Sequence, residues 1–151
     1  MARIHLGNID GGYAGMSPRL FVQTSATVLY SFFTDGTTAS YSKSTDGGAT
    51  WSLEVSLFAL AGFIGLDAFY RRWFDNAASN VVDVFGHKDT GAGVRGLYHV
   101  QLNLATDTLG TVSFIQSLGA SPENLGTSGC VAESGRIWAQ DGFGTAGGSA
   151  G

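Results

Sequence analysis

The sequence predicts an all-β chain of short antiparallel strands joined by tight turns. Three observations point there. Glycine supplies 23 of 151 residues and aromatic residues 12%, a composition of turns and strand packing rather than of helices. Runs rich in β-branched and aromatic residues alternate with turn dipeptides such as Asp35-Gly36 and Asp46-Gly47. Between two such runs stands Ser44-Thr45-Asp46-Gly47-Gly48-Ala49-Thr50-Trp51, a strongly specified hairpin turn. The Ser44 and Asp46 side chains can bond nearby backbone N–H groups, and the two glycines permit φ > 0. Thr50 and Trp51 then resume a strand, with an indole large enough to plug the gap beside the neighbouring sheet.

Taken in order, residues 1–17 are rich in turn residues and form a lead-in. Pro18 fixes a start, and Arg19 to Gln23 reads as a first strand. Thr27 to Phe33 is a second, stopped by Asp35-Gly36; Thr38 to Ser44 is a third and Trp51 to Leu57 a fourth. A second set follows: Leu66 to Trp73, Asn80 to Gly86 and Val94 to Leu104. In the last of these Leu97, His99 and Gln101 share one face, and Tyr98, Val100 and Leu102 the other. Gly135 to Gly142 resembles a further strand and turn, whereas Phe143 to Gly151 has no strand pattern.

The octapeptide is similar to the Asp-box, the Ser-x-Asp-x-Gly-x-Thr-Trp signature of sialidase-type β-propellers, at Ser44, Asp46, Gly48, Thr50 and Trp51. The resemblance implies that four antiparallel strands make one propeller blade, with the box closing its outer hairpin as a fold marker and not a catalytic element. A worn copy follows 61 residues later, Ala105 to Ser113, in which Asp107 and Thr111 repeat Asp46 and Thr50, the counterparts of Ser44, Gly48 and Trp51 are lost, and Asp107 and Gly110 support the turn. The expected organisation is a lead-in over 1–17, a first blade with the intact box over 18–60, and a second blade with the degenerate box over 61–120. Residues 121–151 would supply part of a third blade and a Gly-rich tail. Two blades and a fragment do not close a ring. Three arrangements remain open: the start of a longer product, several copies completing one ring, or an open sandwich.

Candidate site residues fall in two places. Sialidases carry an Arg-Ile-Pro motif on their first inner strand, and Arg19 stands at the matching place, although Leu20 and Phe21 replace Ile and Pro. A carboxylate clamp needs further guanidinium groups, and Arg71, Arg72, Arg95 and Arg136 cannot be assigned to those roles. No catalytic set is recognisable. Asp67, Tyr70, Arg71, Arg72 and Trp73 form the densest mixture of aromatic and charged groups. That stretch is either a ligand or partner surface or an inner strand whose arginines pair with Asp67, Asp75 or Asp83. Glu54, Asp67, Asp83 and Asp89 are the carboxylates a glycosidase pair would draw on.

Charged residues make up only 13% and the formal charge is −4, with no basic cluster beyond Arg71-Arg72, which excludes a nucleic-acid footprint. His5, His87, His99 and the single Cys130 lack metal-ligand spacing, and Gly7 to Gly15 lacks the context of a nucleotide loop, so no metal or cofactor is expected. The longest uncharged apolar run, Val55 to Leu66, has 12 residues and is too short to span a bilayer; no signal peptide is evident. Low charge, aromatics and unpaired strand edges suit a homo-oligomer or larger protein assembly, and the resemblance adds a glycan as a further partner. The expectation is a non-enzymatic structural or glycan- and receptor-contacting module of a phage virion or tail, or of a cell surface. The alternative is the amino-terminal part of a sialidase-like exo-glycoside hydrolase.

Overall fold

The computed structural model describes residues 20–35, 37–72, 79–89, 95–117, 125–131 and 137–143. It is all-β. A first antiparallel sheet runs β1 (Phe21–Gln23), β2 (Leu29–Thr34), β3 (Ala39–Ser44) and β4 (Val55–Ser56) in sequence order. A second contains β5 (Phe63–Tyr70), β6 (Val81–Asp89), β7 (Arg95–Asn103) and β8 (Thr108–Leu109), with β9 (Ser113–Ser117) also paired to β7. A two-stranded sheet of β10 (Leu125–Val131) and β11 (Ile137–Phe143) lies with β10 close to β5 and β6.

Alternation of side chains explains how the two main sheets meet. Val22, Tyr30, Phe32, Ala39 and Tyr41 of the first sheet point to one side. Leu66, Ala68 and Tyr70 of β5, Val82 and Val84 of β6, and Val100 and Leu102 of β7 point to one side of the second. Together with Leu57, Phe58, Phe63 and Leu104 they form one buried cluster. Each large side chain removed from water there contributes about 1.5–3 kcal/mol. The link between the sheets is held by backbone: the Gly62 and Phe63 amides donate to the Thr37 carbonyl at 2.6 and 3.2 Å, and the Thr34 hydroxyl donates to the Phe63 carbonyl at 2.6 Å.

An aromatic row crosses the second sheet on its core side. Phe58 stacks on Phe63 at 4.3 Å, Phe63 meets Tyr98 edge-on at 5.6 Å, and Tyr98 meets Phe114 edge-on at 5.3 Å. β6 passes beneath this row at Gly86. A Cβ there would lie 2.8 Å from atoms of both Phe58 and Phe63, so the absence of a side chain is what lets the pair lie flat over the strand.

The propeller expectation is corrected by these sheets. Both are open and flat, neither closed nor strongly curled, and they stack as an open pair rather than as blades of a ring. The outer strand of the second sheet is also broken: β8 and β9 occupy successive lengths of the same β7 edge, separated at Gly110–Val112. The physical reason lies in the range of the signal. An eight-residue turn specifies one hairpin through local hydrogen bonds, whereas curl is set by packing over the whole sheet.

Candidate functional site

Three polar constellations stand out, the first in the turn that follows β3. The Gly48 N–H donates to Ser44 Oγ at 2.8 Å, and Ser44 Oγ donates to Asp46 Oδ1 at 2.8 Å. The Thr50 N–H donates to Asp46 Oδ1 at 2.8 Å and its hydroxyl to Oδ2 at 2.6 Å, while Trp51 Nε1 donates to the Gly48 carbonyl at 3.1 Å. Gly47 and Gly48 adopt φ of 72° and 95°. The Thr50 hydroxyl, then its amide, then Ser44 hold the Asp46 carboxyl down to about 2. All five residues are engaged with one another, so their chemistry is that of a turn.

The turn after β7 has a different chemistry. Asp107 takes a left-handed φ of 53°, and its carboxylate reaches across to the first sheet. The Tyr30 hydroxyl donates to Asp107 Oδ1 at 2.7 Å, with the Leu104 carbonyl at 3.0 Å as a second acceptor, and Lys43 Nζ pairs with Oδ2 at 2.6 Å. Gly110 donates its amide to the Gln101 carbonyl at 2.8 Å, and Thr111 lies exposed between β8 and β9. Burial, and then the Asp107 hydrogen bond, push the Tyr30 hydroxyl up to about 12. Its stabilising effect is therefore present below pH 10 and lost as pH rises towards 12. Tyr30→Phe is expected to cost about 1.5–3 kcal/mol by removing a charge-assisted hydrogen bond. Unfolding measured from neutral pH to pH 12 should show a flatter alkaline limb in the variant, the remainder belonging to Tyr41 and Lys43, whose pKa values are also raised.

The third constellation lies on the face of the second sheet turned away from the first. Register places Asp67, Phe69 and Arg71 beside Phe85 and Asp83, and these beside His99 and Gln101. Asp83 is fully buried. Arg71 grips it with a fork, Nε to Oδ2 at 2.7 Å and Nη2 to Oδ1 at 3.1 Å; His99 Nε2 lies 2.8 Å and Gln101 Nε2 3.0 Å from Oδ1. Burial pushes the Asp83 carboxyl up, but the bonds from His99, Arg71 and Gln101 outweigh it and hold the group below the usual range. An ionised carboxylate only accepts, so His99 Nε2 carries the proton.

The residues singled out from sequence are thereby separated. Asp67 is buried on this polar face, Tyr70 is buried on the opposite, core face, and Arg71 is paired with Asp83, one of the three carboxylates named for it. Arg72 is exposed just beyond β5. Arg19, Trp73 and Asp75 lie outside the described residues. No group of His, Cys, Asp or Glu that could hold a metal occurs among the described residues, and no helix among them is long and apolar enough to cross a membrane. A concavity of about 570 Å³ opens beside β1, lined by Phe21, Gln23, Thr24, Ser25 and Leu29, and none of the ionisable cluster reaches it.

A feature missed in the sequence concerns the strand edges. β1, β4, β8 and β9 contain no charged residue; every charge in the two main sheets stands on β3, β5, β6 or β7. Most of the large apolar side chains that reach solvent gather on or beside the same edges: Phe21 on β1 (52% exposed), Leu53 and Val55 at β4 (88% and 39%), Phe114 and Ile115 on β9 (58% and 36%); Leu60 stands apart, in the link from β4 to β5. Soluble sheets ordinarily place charge or proline at such edges to prevent pairing. The signal was present as uncharged runs, but nothing in the runs says which strands are outermost.

No family model, curated protein or solved structure matches this chain. With no such match, and with flat sheets where curled blades were expected, the Asp-box resemblance is confined to the turn itself. The sialidase-like, glycan- or receptor-contacting and virion readings rested on that resemblance and fall with it.

Proposed function

We propose that this chain is a protein-assembly module that associates through the edges of its sheets. The observation that carries the reading is the absence of charge from four outer strands, β1, β4, β8 and β9, of which β1, β4 and β9 bring apolar side chains to solvent; the remaining outer strand, β5, carries the buried Asp67. A backbone edge without charge offers unpaired N–H and C=O groups to another strand, and flanking apolar side chains add burial to the ladder. The ionisable face supports this role indirectly: Arg71, His99 and Gln101 are spent on Asp83, making the second sheet a rigid platform behind its own edge.

Sedimentation velocity across a wide range of chain concentrations tests it. The native chain is expected to associate as concentration rises, while the double variant Val55→Lys/Ile115→Lys sediments as a monomer with unchanged far-ultraviolet circular dichroism. A native chain that stays monomeric throughout and binds no strand-forming peptide would overturn the reading.

A further inference from the structure

We infer that β9 is a twofold self-pairing edge, joining the five-stranded sheets of two copies of this chain into one continuous sheet; the inference rests on the edge-assembly reading. Among the uncharged outer strands of the two main sheets, β9 is the longest, five residues against three in β1 and two in each of β4 and β8. Its ladder with β7 shifts register between Leu97 and Tyr98: Phe114 pairs with Tyr98 and Gln116 with Leu97, which leaves Ile115 without a β7 partner. A bulged residue of this kind keeps its backbone groups out of the inner ladder.

The sequence of the strand selects the partner. Ser113-Phe114-Ile115-Gln116-Ser117 is nearly symmetric about its centre. Antiparallel pairing with a second copy sets Ser113 against Ser117, Phe114 against Gln116 and Ile115 against itself, so an isologous contact brings no like charges together. That matters in a chain of formal charge −4, where a twofold contact through charged strands would oppose identical charges. Phe114 is already held in place for such a contact. It packs edge-on against Tyr98, and a Cβ at Gly96 would lie 2.9 Å from its ring, so the glycine makes the space that the ring uses. More than half of the Phe114 surface remains open to be covered by a second copy.

Oxidative cross-linking tests the geometry. Directly opposed residues of antiparallel strands have Cα atoms about 4.5–5.5 Å apart, within the range a disulfide spans. In a Cys130→Ser background, Ile115→Cys is expected to oxidise to a covalent dimer of unchanged circular dichroism, while Val55→Cys does not cross-link. Ile115→Lys, which opposes two like charges at the axis, should raise the dimer dissociation constant at least about tenfold. Association that persists in Ile115→Lys, with Ile115→Cys remaining uncross-linked, would overturn the β9 pairing while leaving edge assembly standing. A native chain that does not associate at all would remove both.

Discussion

Asp83→Ala is expected to destabilise the fold by about 3 kcal/mol, the low end of what removing one partner from a buried ion pair costs. The low end applies because the Arg71 side chain is 30% exposed and its guanidinium can turn to water. His99 has no such escape, being 6% exposed, and loses the acceptor that its Nε2 meets among the described residues. Asp83→Asn should cost less: its carbonyl still accepts from Arg71, and neutral His99 can change tautomer to accept from the new amide. Urea unfolding midpoints at neutral pH would rank the variants, with native above Asn and Asn above Ala. The pH dependence separates charge from shape. Because the folded-state pKa of Asp83 is depressed, its contribution is complete above the unfolded carboxyl value of about 3.9 and is lost as pH falls through the folded value. Asp83→Asn should therefore flatten the acid limb below about pH 4. Part of that limb will remain, since Asp107 is also held low: partial burial raises it, and the Lys43 and Tyr30 hydrogen bonds outweigh that.

Phe63→Ala is expected to cost about 3–5 kcal/mol, the range for deleting a fully buried phenyl ring. Phe63 is 0% exposed, stacks on Phe58, and touches Tyr98, so its loss opens a cavity where β5 begins and the two sheets are joined. Gly86→Ala should cost about 1–3 kcal/mol for the opposite reason, overpacking. Its Cβ would meet the Phe58 and Phe63 rings at 2.8 Å, and both rings are locked in the stack. The two substitutions share one space, so they should not add. Removing the Phe63 ring makes room for the Gly86 methyl, and the double variant should be more stable than the sum of the single losses predicts. Additive losses would show that Gly86 is glycine for some reason other than these rings.

Legibility from sequence followed the range of each interaction. The runs read as strands from Arg19 to Gln23, Thr27 to Phe33, Thr38 to Ser44, Asn80 to Gly86 and Val94 to Leu104 contain or closely overlap β1, β2, β3, β6 and β7, because alternation and β-branched composition act within a few residues. Trp51 to Leu57 was too long for β4, which is confined to Val55–Ser56, since the turn chemistry holds the chain as far as Trp51. β10 was not anticipated: Leu125-Gly126-Thr127-Ser128-Gly129-Cys130-Val131 is built of small residues without periodicity. The matching of Asp46 with Asp107 by position located two comparable turns but not their partners. Asp46 bonds within four residues of itself, and Asp107 bonds Tyr30 and Lys43 on the other sheet.

The amino-acid order alone determined that this is a β protein, and it determined the side-chain bonding of the Ser44–Trp51 turn, because the partners of Ser44, Asp46, Thr50 and Trp51 there lie within four residues along the chain; only the Gly47 amide reaches further, to the Thr27 carbonyl. Tertiary structure decided the remainder: flat open sheets instead of curled blades, Asp83 as the centre of a buried network, Gly86 as the opening for two stacked rings, and four uncharged strands, β1, β4, β8 and β9, among the outer edges. Each of those depends on residues far apart in the chain being brought together, and local preference carries no information about which strands become neighbours or which are left outermost.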